Sequence, residues 1–184
     1  MVPVSSETPA PDLSTLIGLF YPEAGEFGDV AQVAPESMPD VYRKLLAHEH
    51  HMTVTVESHY GELVDVQVLE SMHVGHYYSR KILLTKQSDR SVVQFGIVRL
   101  NFEYLGADVQ REIVGEGTPL GRILIDRNVL RRVELSELWK VAAGQDLAEL
   151  FGIETGSEVW GRTGWIHCNG EPAIELLEVV APAS

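Results

Sequence analysis

The chain has one cysteine in 184 residues, so no internal disulfide can form. Nothing near Cys168 suggests a thiolate site, and it reads as strand filling. No apolar run approaches the roughly 18 to 20 residues of a bilayer crossing, which excludes a membrane span. The N-terminus lacks a basic leader, and residues 16–20 (LIGLF) are too short for a signal-peptide core, so a cytoplasmic setting is expected. Positive charge is also scarce: 14 Lys and Arg face 27 Asp and Glu, for a net charge of -13. That field repels nucleic acid and anionic lipid and excludes both as partners, although a local Arg pocket can still hold a small anion. Internal repeats, heptads, a Walker loop, a dinucleotide fingerprint and a nucleophile elbow are all absent. With no heptad or long apolar edge to demand a partner, a monomer is expected.

With 45% hydrophobic and 22% charged residues, the composition is that of a single domain able to bury a sizeable core. Residues 1–12 (MVPVSSETPAPD) have the make-up of a disordered tail, which leaves 13–184 as the domain. The chain is organised around residues 158–182, two strands folded over Asn169-Gly170, a strong hairpin signal. On the returning strand Ile174, Leu176, Glu178 and Val180 share one face, and Ala173, Glu175, Leu177 and Val179 share the other. Glu178 thus has the bulkier apolar company. Trp160 and Arg162 share a face of the first strand, so an aromatic, a cation and a carboxylate can converge there. A structural ion pair or two exposed charges fit the same spacing.

Elsewhere, residues 12–20 suit a short helix capped by Asp12 or Ser14, and a loop runs on to Pro35. Residues 37–51 have helical spacing with Ser37 or Asp40 as cap. His48 and His51 would then share a helical face, but the spacing of a zinc protease is missing, and a polar helix end fits better than a metal site. Residues 53–56 (TVTV) alternate like a strand. Strands follow at 63–70, 77–85 and 92–101, and Tyr78, Arg80, Ile82 and Leu84 share a face of the second. An Arg in that company is anomalous, unless it snorkels at a sheet edge. Residues 104–125 read as two helical pieces, the second capped by Thr118 with Pro119 in its first turn. That leaves the Leu120 N–H free at a helix start, as an anion site or simply as a helix start. A loose strand at 129–142 and a helix at 146–151 complete about six strands in hairpin-like order: an α+β domain on an antiparallel sheet.

From about Leu45 to the C-terminus, separated motifs resemble the chorismate pyruvate-lyases (4-hydroxybenzoate synthases). They are Leu45-Leu46 with Met52-Thr53, residues 77–84 (YYSRKILL), residues 118–122 (TPLGR), residues 160–162 (WGR), and Gly170-x-Pro172 followed by Glu178 and Pro182. The resemblance implies a six-stranded antiparallel sheet with helical flaps enclosing a ligand pocket. It also implies cofactor-free, metal-free conversion of chorismate to 4-hydroxybenzoate and pyruvate by a carbon–oxygen lyase. The implied substrate contacts are Met52, Arg80, Leu120 and Glu178, with Arg80 and Glu178 catalytic, and the implied conformation from Met52 is a helix. Between Pro172 and Pro182 the chain has one residue more than that pattern, which a bulge would accommodate.

On this reading Arg80 grips a carboxylate bidentately, and Glu178, desolvated among aliphatics, has a raised pKa and relays a proton. Arg162 either binds a second carboxylate or braces the hairpin, the former being slightly favoured. The alternatives are a lyase acting on a modified chorismate and a non-catalytic effector-sensor domain of the same fold. Against the sensor stand the acidic charge and the lack of a preceding helix-turn-helix segment.

Overall fold

The computed structural model of the chain describes residues 8–183. Helices α1 (Leu13–Gly18) and α2 (Ala24–Phe27) come first, followed by strand β1 (Gly28–Val33) and helices α3 (Asp40–Leu46) and α4 (Met52–Tyr60). Strands β2 (Val64–Val74), β3 (Tyr77–Lys86) and β4 (Val92–Asn101) precede helices α5 (Ala107–Val114) and α6 (Leu120–Asp126). The chain closes with β5 (Arg131–Ala143), α7 (Gln145–Phe151), β6 (Glu158–Cys168) and β7 (Glu171–Val180).

The strands form one antiparallel sheet in the order β1-β5-β6-β7-β4-β3-β2. The described residues thus hold seven strands where the sequence suggests six. The extra one, β1, falls in the expected loop before Pro35. Its residues are exposed or half-buried, so no apolar face marks it, and its pairing with β5 makes it a strand.

Part of the expected tail is held against the body. Pro11 is buried, the Pro9 carbonyl accepts the Trp165 indole N–H at 2.8 Å, and Asp12 caps α1 by accepting the Ser14 N–H at 3.0 Å. Residues 1–7 lie outside the described residues.

Local chemistry redraws two boundaries and decides a third element. Pro39 forces Met38 into an extended conformation, so the helix expected over 37–51 is confined to α3, and the segment His48–His51 links α3 to α4. The Thr-Val alternation at 53–56 is helical, as the resemblance implies for the chain from Met52, because burial of Met52, Thr53 and Val56 outweighs local strand propensity. α4 ends at Gly61, whose φ of 69° is the left-handed C-cap conformation that glycine tolerates. At α6, Pro119 takes the N-cap position with ψ 141°, and Thr118 makes no capping bond.

The C-terminal hairpin turns at Asn169 and Gly170, both at positive φ (53° and 83°), as a two-residue turn between twisted strands requires. Ile166 pairs with Ile174 but His167 with Pro172, so Ala173 is an extra residue in β7. This bulge takes up the additional residue noted between Pro172 and Pro182 and sets the register of Glu178.

Each face of the sheet carries a layer of helices. α1, α2 and α7 cover one face around Leu16, Phe27, Phe95, Ile97, Leu177 and Val179. The other face carries two clusters: α5 and α6 pack on Leu100, Ile166 and Ile174, whereas α3 and α4 pack on Ile82, Leu84, Trp160 and Val180. The seam between those clusters is where the chamber forms.

Candidate functional site

Directly opposed residues of neighbouring strands share a face, so the register places three parallel rows beneath α4 and α6. The first row is Arg80, Val98, Leu176 and Gly164; the middle row is Ile82, Gly96, Glu178 and Arg162; the third is Leu84, Gln94, Val180 and Trp160. Over these rows, Met52 and Thr53 from α4 and Leu120 and Gly121 from α6 close a chamber of about 40 Å³. Arg80, Gln94, Gly96 and Glu178 line it, so four of the five expected site residues (Met52, Arg80, Leu120 and Glu178) meet there. Arg162 is absent from the lining.

The reason lies in its bonds. The Arg162 side chain donates from Nε to Glu178 Oε2 at 2.7 Å, from Nη1 to the His48 carbonyl at 2.9 Å and from Nη2 to the His50 carbonyl at 2.9 Å. The guanidinium therefore ties the hairpin to the α3–α4 connection. Glu178 does not stand alone among aliphatics as expected; it is the partly exposed half of an ion pair with the buried Arg162.

Arg80 is 1% exposed. Its Nη1 reaches the Ile113 carbonyl at 3.3 Å, and its buried Nε has no hydrogen-bond partner among the described residues. Burial pulls its pKa down against the raising influence of Tyr78 and Glu116, but a guanidinium stays charged. The other two buried cations are better served. Lys81, on the opposite face, lies 3.1 Å from Glu70, 3.6 Å from Asp146 and 4.7 Å from the centre of the Tyr21 ring, and Arg162 has Glu178. Among the described residues no carboxylate lies within 4 Å of Arg80. Gln94, 2% exposed, is the other anomaly: its Oε1 is buried without a partner.

The cover is cross-linked. Arg122 of α6 is ion-paired with Glu57 of α4, and a side chain at Gly121 would come within 3.0 Å of Thr53 Oγ1. His51, beside Met52, lines both the chamber and an outer groove along residues 128–133. Its Nε2 accepts from Arg131 Nε at 2.8 Å, which places its proton on Nδ1. Burial, then the charges of Arg131 and Arg162, lower its pKa to about 4, and burial with Arg162 does the same to His48. Both are neutral at pH 7. Among the described residues no group of three or more His, Cys, Asp or Glu is placed to hold a metal. Cys168 is buried, which pushes its thiol pKa up to about 11.

Gln94, Gly96, Gly121 and His51 are site residues that the sequence reading missed. In VVQFGIVRL, however, Gln94 and Gly96 alternate with Phe95 and Ile97, so one face of a central strand carries an amide and a gap.

The fold recurs in solved structures. PhnF from Mycobacterium smegmatis aligns with a TM-score of 0.56 and 12% identity, over 71% of this chain and 63% of that one. The effector domain of PhnF aligns with a TM-score of 0.54 and 10% identity, over 72% and 88% of the two chains. The ligand-binding domain of a regulator from Bordetella bronchiseptica, assigned to the GntR family of transcriptional regulators, aligns with a TM-score of 0.50 and 16% identity, over 64% and 85%. This chain thus spans less than two thirds of the first PhnF chain. No protein-family model matches the sequence, and no curated protein matches it.

These similarities establish a fold of the chorismate lyase-like, α+β class seen in regulator effector domains. They overturn the carbon–oxygen lyase expected from the sequence motifs, since the neighbours are effector and ligand-binding domains of regulators. Glu178, the proton relay expected on that reading, lines the chamber with Oε2 paired to Arg162.

Proposed function

We propose that the chain is a non-catalytic binding domain for a small organic anion whose carboxylate is held by Arg80 in the chamber between α4 and α6. The observation that carries this reading is the buried Arg80 Nε without a partner. A buried cation lacking a carboxylate is costly for folding, and such groups persist where a ligand completes them. A carboxylate meets the planar guanidinium edge with charge-assisted bonds. Met52 and Leu120, the first residues of α4 and α6, contribute backbone N–H groups that have no acceptor within their helices. Arg162 is a brace: it fixes the α3–α4 connection that carries Met52 into the chamber wall.

A volume of about 40 Å³ suits a few water molecules and no aromatic acid. Entry of the ligand must therefore part α4 from α6, and the chamber's occupancy becomes a displacement of those helices. That coupling is what a sensor needs, and the PhnF and Bordetella neighbours, an effector and a ligand-binding domain, share the scaffold. Incubation with chorismate and with 4-hydroxybenzoate tests the reading. A rise in melting temperature without release of pyruvate supports it; pyruvate release contradicts it.

A further inference from the structure

Two buried side-chain atoms that have no partner among the described residues belong to residues lining this chamber, and they ask for opposite chemistry. Arg80 Nε offers an N–H donor in the first row of the floor, and Gln94 Oε1 offers an acceptor in the third. Between them the middle row has no side chain at Gly96, and Ile82 is the nearest side chain that an added Cβ there would meet, at 3.3 Å. Rows on one face recur every second residue, so the two backbone positions lie about 13 Å apart along the strands, less the reach of both side chains. Leu84 and Val180 flank Gln94 in its row, and no group of the described residues satisfies its carbonyl.

We propose that Gln94 is a specificity residue, and that the ligand lies over Gly96 with its carboxylate on Arg80 and a hydrogen-bond donor, a hydroxyl or N–H, on Gln94 Oε1. The inference rests on the binding function proposed above and narrows it from small carboxylates to carboxylates with a donor at the far end. A site built around a buried acceptor rejects an analogue that leaves it unpaired more strongly than an apolar pocket rejects a missing methylene.

Calorimetric titration with benzoate, 4-fluorobenzoate and 4-hydroxybenzoate tests it, on the wild-type chain and on Gln94→Met, which keeps the length of the side chain and removes its polar atoms. The wild type should bind the hydroxylated acid about tenfold or more tightly than the other two. In Gln94→Met that ratio should fall to about one, and the ligand-free variant should melt at a higher temperature, since an unsatisfied buried acceptor is gone. Equal binding of the three acids by the wild type, or a ratio that survives in Gln94→Met, overturns the inference and leaves the binding function standing. Failure of all three acids to bind overturns the binding function itself. The melting temperature decides independently of any ligand: a fall in Gln94→Met makes Gln94 a structural residue and overturns the inference.

Discussion

Arg162 and Arg80 sit on one sheet face, both 1% exposed, and differ in what surrounds them. Arg162 has a carboxylate and two carbonyls, so Arg162→Met should leave the largely enclosed Glu178 unpaired at a cost of about 3 kcal/mol. For a chain of this length that is a fall of roughly 6 to 12 °C in melting temperature, readable by scanning calorimetry. A ligand contact without a bracing role would leave the melting temperature unchanged. At the middle row, Gly96→Val should place two methyl groups in the chamber beside Ile82 and abolish binding of 4-hydroxybenzoate in a titration, while the far-ultraviolet circular dichroism spectrum stays that of the wild type. Much of this residue-level picture is legible beforehand: strand alternation alone puts Arg80, Glu178 and Arg162 on inward faces. What alternation does not reveal is which charge answers which. Glu178 and Arg162 are opposed only because β6 and β7 pair in one register, and that register depends on the bulge at Ala173.

At the scale of elements, α4 and α6 are the parts that the proposed ligand would separate, and they meet at Gly121 and at the Arg122–Glu57 pair. Gly121 packs against Thr53 and His51, so Gly121→Val should wedge the helices apart and raise amide hydrogen exchange across residues 51–56, measurable by mass spectrometry. The connection into α4 is also sensitive to pH. His48 and His51 titrate near 6.5 when unfolded and near 4 in the fold, so the folded state resists their protonation. The stability tied to their neutral forms is therefore complete above about pH 6.5 and is lost as pH falls toward 4. Melting temperatures measured across that window should fall with pH, and His51→Gln should flatten the slope. The helix at 52–60 was not legible from local propensity, since Thr-Val alternation favours a strand; only burial of Met52, Thr53 and Val56 explains it. β1 was illegible for the converse reason: an exposed edge strand has no apolar period to read.

For the whole molecule, a net charge of -13 surrounds a chamber lined by a buried cation whose Nε has no partner among the described residues. The global field disfavours polyanions, whereas a single carboxylate that reaches Arg80 exchanges water for a guanidinium in a region of low dielectric. The motif resemblance led to the correct fold class, whereas the carbon–oxygen lyase it implied is overturned by the regulator domains that share the fold, because a fold does not carry its function with it.

The most direct test is calorimetric titration of 4-hydroxybenzoate into the wild-type chain and into Arg80→Met, with melting temperatures of both ligand-free proteins. Loss of two charge-assisted bonds should weaken binding about a hundredfold or more, while the melting temperature stays the same or rises because a buried, poorly partnered cation has been removed. Equal affinities for the two proteins, or a melting temperature that drops sharply in Arg80→Met, would contradict a chamber built around an anion.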